Sequence, residues 1–226
     1  VARLFASLSE HLPVPDKLYS LRHNLNEGKD PTKLMERSPE DVILFAGTAH
    51  PALAESIAHN LGISPAKCSV QRFPDGEVSV ELLETVRRKE VFLVQPISPP
   101  VNEHLVELLA FIDTCRRSSA ARITAITPYF AYARADKRHG RREPVTASMI
   151  AQLLQVLGVD QVVTVDLHAP QIEGFFHVPV DNLTAVSPLC EALRPRLAAD
   201  TVIVAPDAGR VKLTTRYADK LDLPVA

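Results

Sequence analysis

Four short apolar runs, at residues 42–46, 91–95, 123–127 and 162–165, are separated by stretches long enough to hold helices, and this alternation restricts the fold most. The runs are rich in β-branched residues and too short for helices, so they read as buried strands. Between them the apolar period changes to that of a helix. Pro51 opens one with Leu53, Ile57, Ala58 and Leu61 at helical spacing before Gly62. A second, over about 102–117, has a stripe of Leu105, Leu108, Leu109, Ile112 and Cys115. Glu103 in its first turn and Arg116 and Arg117 in its last suit the helix dipole. In a third, Thr146 is expected to cap a helix burying Met149, Ile150, Leu153, Leu154 and Leu157, closed by Gly158. Strands and helices in this order predict an α/β fold of right-handed crossovers, a parallel sheet flanked by helices on both faces. Residues 69–73 and 77–82, which alternate across Pro74-Asp75-Gly76, predict a hairpin.

The chain divides into three parts. Residues 1–40 carry Pro13, Pro15, Gly28, Pro31 and Pro39 without a sustained period, and read as an extension with short helical pieces around 17–25. Residues 41–181 make the first α/β domain. Residues 182–226 supply the start of a second: a helix opened by Ser187-Pro188 and disturbed by Pro195, a strand at 201–205, and a turn at Pro206-Asp207-Ala208-Gly209 feeding a helix from about 211 to 221. A full domain usually needs about 100 residues, so this one is expected to be incomplete.

With 46% hydrophobic and 23% charged residues and a net charge of −2, the chain is expected to be soluble and globular, with no general affinity for nucleic acid. Cys68, Cys115 and Cys190 are odd in number and far apart, which supports neither a disulfide framework nor a zinc site and favours a reducing compartment. No run is long enough to span a bilayer, since even 105–112 is interrupted by Glu107. The N-terminus lacks a secretory pattern, and Arg3, Ser7 and Ser9 fit a transit peptide only vaguely, so a cytoplasmic protein without membrane partners is expected. The loop 134–142 holds five Lys or Arg residues against Asp136, just after Tyr129, Phe130 and Tyr132. It admits three readings: a solvated basic loop, a nucleic-acid contact, or part of a nucleotide site.

Three places carry possible chemistry. Asp166 and His168 follow directly on the run 162–165, and ligands of open α/β sheets collect beyond the carboxyl ends of the strands. An acid and an imidazole there suit a divalent cation or a polyphosphate, although a capping Asp and a solvated His would look the same. Residues 73–77 satisfy ordinary turn chemistry. At 206–209 a turn precedes a helix, where backbone N–H groups and the dipole can hold a phosphate.

Taken together, DLHAPQIEGFFHVPVD at 166–181, FPDGEVSV at 73–80, PYFAYARADKR at 128–138 and VAPDAG at 204–209 resemble the ribose-phosphate diphosphokinase family, in order and from about residue 42 to 226. The resemblance implies two phosphoribosyltransferase-like domains and transfer of the diphosphoryl group of ATP to the 1-hydroxyl of ribose 5-phosphate with Mg2+. It places Phe73, Asp75 and Glu77, with Gly76 in their turn, against adenine from a neighbouring subunit. It also places Arg134, Asp136 and His168 at ATP. It assigns metal contacts to His168 and Asp207 with Asp166 nearby, and the diphosphate to Asp207, Ala208 and Gly209. A homo-oligomer, dimer or hexamer, is implied as well.

Three residues depart from the family pattern. Ala135 stands for a common Gln, His177 for an Asp and Arg210 for a second Gly. The family's catalytic loop and ribose 5-phosphate loop would follow Ala226, so no residue here is assigned the catalytic role. The alternatives are a noncatalytic regulatory homologue or inactive fragment that binds ATP and magnesium beside active subunits, and, more distantly, a nucleotide-dependent RNA-binding protein.

Overall fold

The structure is a computed structural model that describes residues 41–138, 140, 142–198 and 200–226; the extension expected at 1–40 lies outside the described residues. These residues form two compact units, divided between Leu183 and Thr184.

The unit of residues 41–183 is built on a parallel sheet. Its strands are β1 (Val42–Ala46), β4 (Glu90–Val94), β5 (Arg122–Ile126), β6 (Gln161–Val165) and β7 (Val180–Leu183), side by side in that order. The register runs Leu44 to Phe92 to Thr124 to Gln161. Alternate side chains explain why the runs are apolar throughout. Ile43, Phe45, Val91, Leu93, Ile123, Ala125 and Val162 join one core, while Leu44, Phe92, Ile126 and Val163 on the opposite face are buried too. The expected α/β architecture is thus present, with strand boundaries within one residue of expectation.

Three helices follow the strands: α1 (Pro51–Asn60), α2 (Val101–Arg117) and α3 (Thr146–Leu157). Helix α2 buries Leu105, Leu108, Phe111, Ile112 and Cys115, close to the expected stripe, together with His104 and Glu107. On α3 the expected stripe is rotated. Ala147, Ile150, Ala151 and Leu154 are buried, whereas Met149 and Leu153 stand 48% and 39% exposed. Helix α3 packs against α2. Thr146 is the first helical residue rather than the cap, which is Val145 and makes no side-chain bond. Gly158 does end the helix, at φ 105°.

The expected hairpin is β2 (Cys68–Arg72) paired antiparallel with β3 (Val78–Leu82), a separate two-stranded sheet lying along α2. Strand β7 was not expected, since Asp181 and Asn182 break any apolar pattern; pairing with β6 over Val162–Val180 to Val165–Leu183 creates it.

The unit Thr184–Ala226 contains α4 (Val186–Leu193), a 3-10 turn over Arg194–Arg196 that holds Pro195, and α5 (Val211–Leu221). The strand expected at 201–205 does not form. Ile203 makes a single bridge to Val225, because the partner it finds among the described residues is the short segment at 223–226. No helix among the described residues is long and apolar enough to cross a membrane.

Candidate functional site

The parallel strands of the first unit all point their carboxyl ends one way, and the chain leaves each through a polar turn. After β1, the Gly47 N–H donates to Val94 O at 2.9 Å. A Cβ on Gly47 would stand 2.0 Å from Gln95 Oε1, so glycine is required there for Gln95 to stay buried. Gln95 Oε1 in turn accepts from the Ala49 N–H, and its Nε2 donates to His104 O. After β5, Thr127 Oγ1 donates to Tyr129 O. Tyr132, held at φ 60°, donates its hydroxyl to Asn102 Oδ1 at the start of α2.

Beyond β6 the chain turns sharply at Asp166, whose φ of 47° lies in the left-handed region that Asp tolerates better than most residues. Its N–H donates to Leu183 O at 2.8 Å, and the Leu167 N–H donates to Asn182 Oδ1, so β7 fixes the turn. Asp166 and His168 are both exposed at this tip. Backbone strain held by surrounding bonds at a strand tip is a recurrent mark of a working site.

The hairpin turn 73–77 lies beside α2. Asp75 Oδ1 accepts from the Glu77 N–H at 3.1 Å, Gly76 sits at φ 93°, and the Phe73 N–H donates to Glu77 O. Phe73, Asp75, Gly76 and Glu77 are exposed, Phe73 by 47% despite its apolar ring. A shallow groove between this turn and α2 is lined by Gly76, Glu77, Val78, Asn102, Glu103 and Val106.

In the loop 128–138, Arg134 is exposed while Asp136 is 8% exposed, its Oδ2 accepting from Gln171 Nε2 at 2.5 Å. Gln171 belongs to the 3-10 turn Pro170–Phe175 that follows His168, so this bond ties the basic loop to the β6 tip. His177 is exposed, with its N–H donating to Gln155 Oε1.

Asp207 belongs to the second unit. It precedes the 3-10 turn Ala208–Arg210, which leads directly into α5; Asp207, Ala208, Gly209 and Arg210 are all exposed. Among the described residues no group of three or more His, Cys, Asp or Glu side chains is arranged to hold a metal alone. That is compatible with magnesium, which usually takes one or two carboxylates and completes its shell with water and substrate phosphate. Asp166 is an exposed carboxylate of that kind, and the exposed His168 follows two residues on.

One buried carboxylate escaped the sequence. Glu107 showed only as an interruption in the apolar run 105–112, yet it is wholly buried and bonded to Thr48 and Arg72. Its charge, together with burial as the larger cause, raises the Cys68 thiol above its ordinary pKa. Burial pushes Cys115 up to about 12. Neither thiol is therefore activated as a nucleophile.

Residues 42–158 match the profile of the N-terminal domain of ribose phosphate pyrophosphokinase, slightly more than half of the chain. The chain belongs to the ribose phosphate pyrophosphokinase family. It is 45% identical over 183 residues to the ribose-phosphate pyrophosphokinase of Bacillus caldolyticus, covering 81% of this chain and 58% of that one. The Clostridium perfringens ribose-phosphate pyrophosphokinase is 45% identical over 195 residues, covering 85% of this chain and 61% of that one. Among solved structures, phosphoribosylpyrophosphate synthetase from Mycobacterium smegmatis superposes with a TM-score of 0.78 at 42% identity, over 82% of this chain and 63% of that one. The chain thus spans about three fifths of the length of these ribose phosphate pyrophosphokinases.

Proposed function

We propose that this chain provides the nucleotide-handling part of a ribose phosphate pyrophosphokinase, which moves the diphosphoryl group of ATP to the 1-hydroxyl of ribose 5-phosphate. The observation that carries the reading is the β6 tip, where Asp166 in a left-handed turn and the exposed His168 stand at the carboxyl edge of the sheet. Polyphosphate transfer asks the protein chiefly to position its substrates and neutralise charge, and groups at this edge suit that task. His168 and Asp166 would hold Mg2+ with the triphosphate, and the ion would supply charge neutralisation there. Arg134, exposed on the adjoining loop, would meet the nucleotide. Asp136 would brace that loop through Gln171 rather than touch the nucleotide directly.

Phe73 offers an apolar ring to the adenine face, and Asp75 and Glu77 can accept bonds from an exocyclic amine. In the second unit, the N–H groups of Ala208 and Gly209 would cradle the diphosphate beside Asp207. A cytoplasmic homo-oligomer, dimer or hexamer, completes the reading. Ala135 removes an amide from the nucleotide side, His177 weakens a second cation site, and Arg210 sets a charged side chain beside the phosphates.

Isothermal titration of the chain with magnesium-ATP tests this directly. Replacing His168 by Ala is expected to weaken binding about tenfold or more, the worth of one charge-assisted contact of about 1.4 kcal/mol or more, with thermal unfolding nearly unchanged because the side chain is exposed. Equal affinity in wild type and His168→Ala would remove the proposed role. For the complete gene product, formation of AMP from ATP and ribose 5-phosphate, lost in Asp207→Asn, is the corresponding activity test.

A further inference from the structure

Glu107 has no exposed side-chain surface, yet it lies at the centre of a polar junction. Its Oε1 accepts from the Thr48 N–H at 2.7 Å, and its Oε2 accepts from Thr48 Oγ1 at 2.5 Å and from Arg72 Nη2 at 3.4 Å. The second arm of Arg72, Nη1, reaches Glu103 Oε2 at 2.8 Å. Glu103 and Glu107 are four residues apart on α2 and share one helix face, where two carboxylates would repel each other without a cation between them. A planar guanidinium can meet both at once; an ammonium cannot do so in the same geometry.

The position of Arg72 gives this junction its meaning. It is the last residue of β2 and is paired with Val78, the first residue of β3, so it stands at the base of the turn 73–77. The bonds described for the turn run within it, from Phe73 to Glu77, from Gly76 to Phe73 and from Glu77 to Asp75. Those bonds shape the turn but do not aim it. A two-stranded hairpin is marginal by itself, and its direction comes from what it rests on. Here it rests on α2, with Arg72 gripping two points of that helix separated by about one turn.

For stability alone, well-packed apolar side chains would serve as well as a buried ion pair or better. What the fork adds is a fixed place and rotation for the turn. The same buried carboxylate holds Thr48, just beyond the carboxyl end of β1, so the turn is set against the edge of the sheet as well as against the helix.

We propose that Arg72 is a positioning residue: by spanning Glu103 and Glu107 it aims Phe73, Asp75 and Glu77 at the adenine of the nucleotide. This rests on the reading above, in which that turn meets adenine. Arg72 need not touch the nucleotide itself.

The test compares the wild-type chain with Arg72→Gln, Arg72→Lys and Glu103→Gln in two measurements. The first is amide hydrogen exchange at Phe73 and Gly76. The second is affinity for magnesium-ATP against magnesium-tripolyphosphate, a probe with phosphates and no base. In Arg72→Gln, exchange at the turn is expected to rise about tenfold while amides of β1 and β4 keep their protection. The preference for ATP over tripolyphosphate falls about tenfold, with tripolyphosphate affinity held. Arg72→Lys and Glu103→Gln, which each keep one arm of the junction, fall between. Arg72→Gln leaves the buried Glu107 without its cation, so kept protection in β1 and β4 is the control for an intact fold. Glu103→Gln, at a side chain 49% exposed, frees one arm of Arg72 without unpairing a buried charge.

Unchanged exchange and unchanged preference in Arg72→Gln would overturn the proposal. So would equal losses for both ligands, which would make Arg72 a support of the fold only. A wild-type chain that binds both ligands equally would instead overturn the adenine reading of the turn, while exchange still decides whether Arg72 holds it.

Discussion

In both residues 41–183 and Thr184–Ala226 the sequence pattern predicts a strand, a turn and a helix in succession, but only the first unit forms a sheet. In the first, five strands each find a neighbour and both faces of the sheet are buried. In the second, a core of Val186, Cys190 and Leu221, with Leu197, Ile203, Leu213, Tyr217 and Leu223 partly buried around it, is joined by a single bridge between Ile203 and Val225. Helices α4 and α5 form in spite of this because their backbone bonds are internal. The segment 201–205 cannot, since a strand exists only through its partner. Sequence pattern thus specifies a helix locally and a strand conditionally.

Core truncations give that contrast a scale. Phe111 is 1% exposed and its ring lies 6.4 Å from that of Phe45, so Phe111→Ala is expected to cost about 3–5 kcal/mol, read as a lower urea midpoint for the sheet unit. Leu221, 5% exposed in the small core, should cost about 2 kcal/mol as Leu221→Ala. Its loss is expected to abolish exchange protection in α4 and α5 while β1, β4 and β5 keep theirs. If Leu221→Ala instead melts both units together at one midpoint, the distinction between a complete and a sparse core fails.

The same contrast explains how much could be read from the sequence. Strands β1, β4, β5 and β6 were legible because each is apolar on both faces, a pattern that survives without knowledge of neighbours. Strand β7, with Asp181 and Asn182, was not; Asn182 serves the fold through its bonds to Leu167 and Glu173, contacts that no local pattern encodes. At the candidate site, Asp166 and His168 stood out because a strand ends just before them. Glu107 did not. Whether a carboxylate within an apolar stripe is buried depends on Arg72, 35 positions earlier, and on Thr48, 59 positions earlier. Asp136 shows the reverse case, a charge that reads as solvent-facing and is turned inward by Gln171.

The smallest effect expected here is one of pH, and it compares a buried thiol from each unit. Cys115 is held neutral by burial, with its pKa up at about 12, whereas an unfolded cysteine titrates near 9. Between those values the unfolded chain releases a proton that the folded chain keeps, so stability is fully present below about pH 9 and declines as pH rises toward 12. The slope is about 1.4 kcal/mol per pH unit at most. Cys190 is also raised by burial, but Lys220 and Arg194 favour its thiolate and oppose that rise. In urea titrations at pH 8, 9 and 10, the stability gap between wild type and Cys115→Ala is therefore expected to shrink by up to about 1 kcal/mol over the last step, because only the wild type carries this alkaline penalty. The gap for Cys190→Ala should move less. A Cys190 gap as steep as that of Cys115 would mean that the small core excludes water as fully as the large one, and that its two cations do not reach the sulfur.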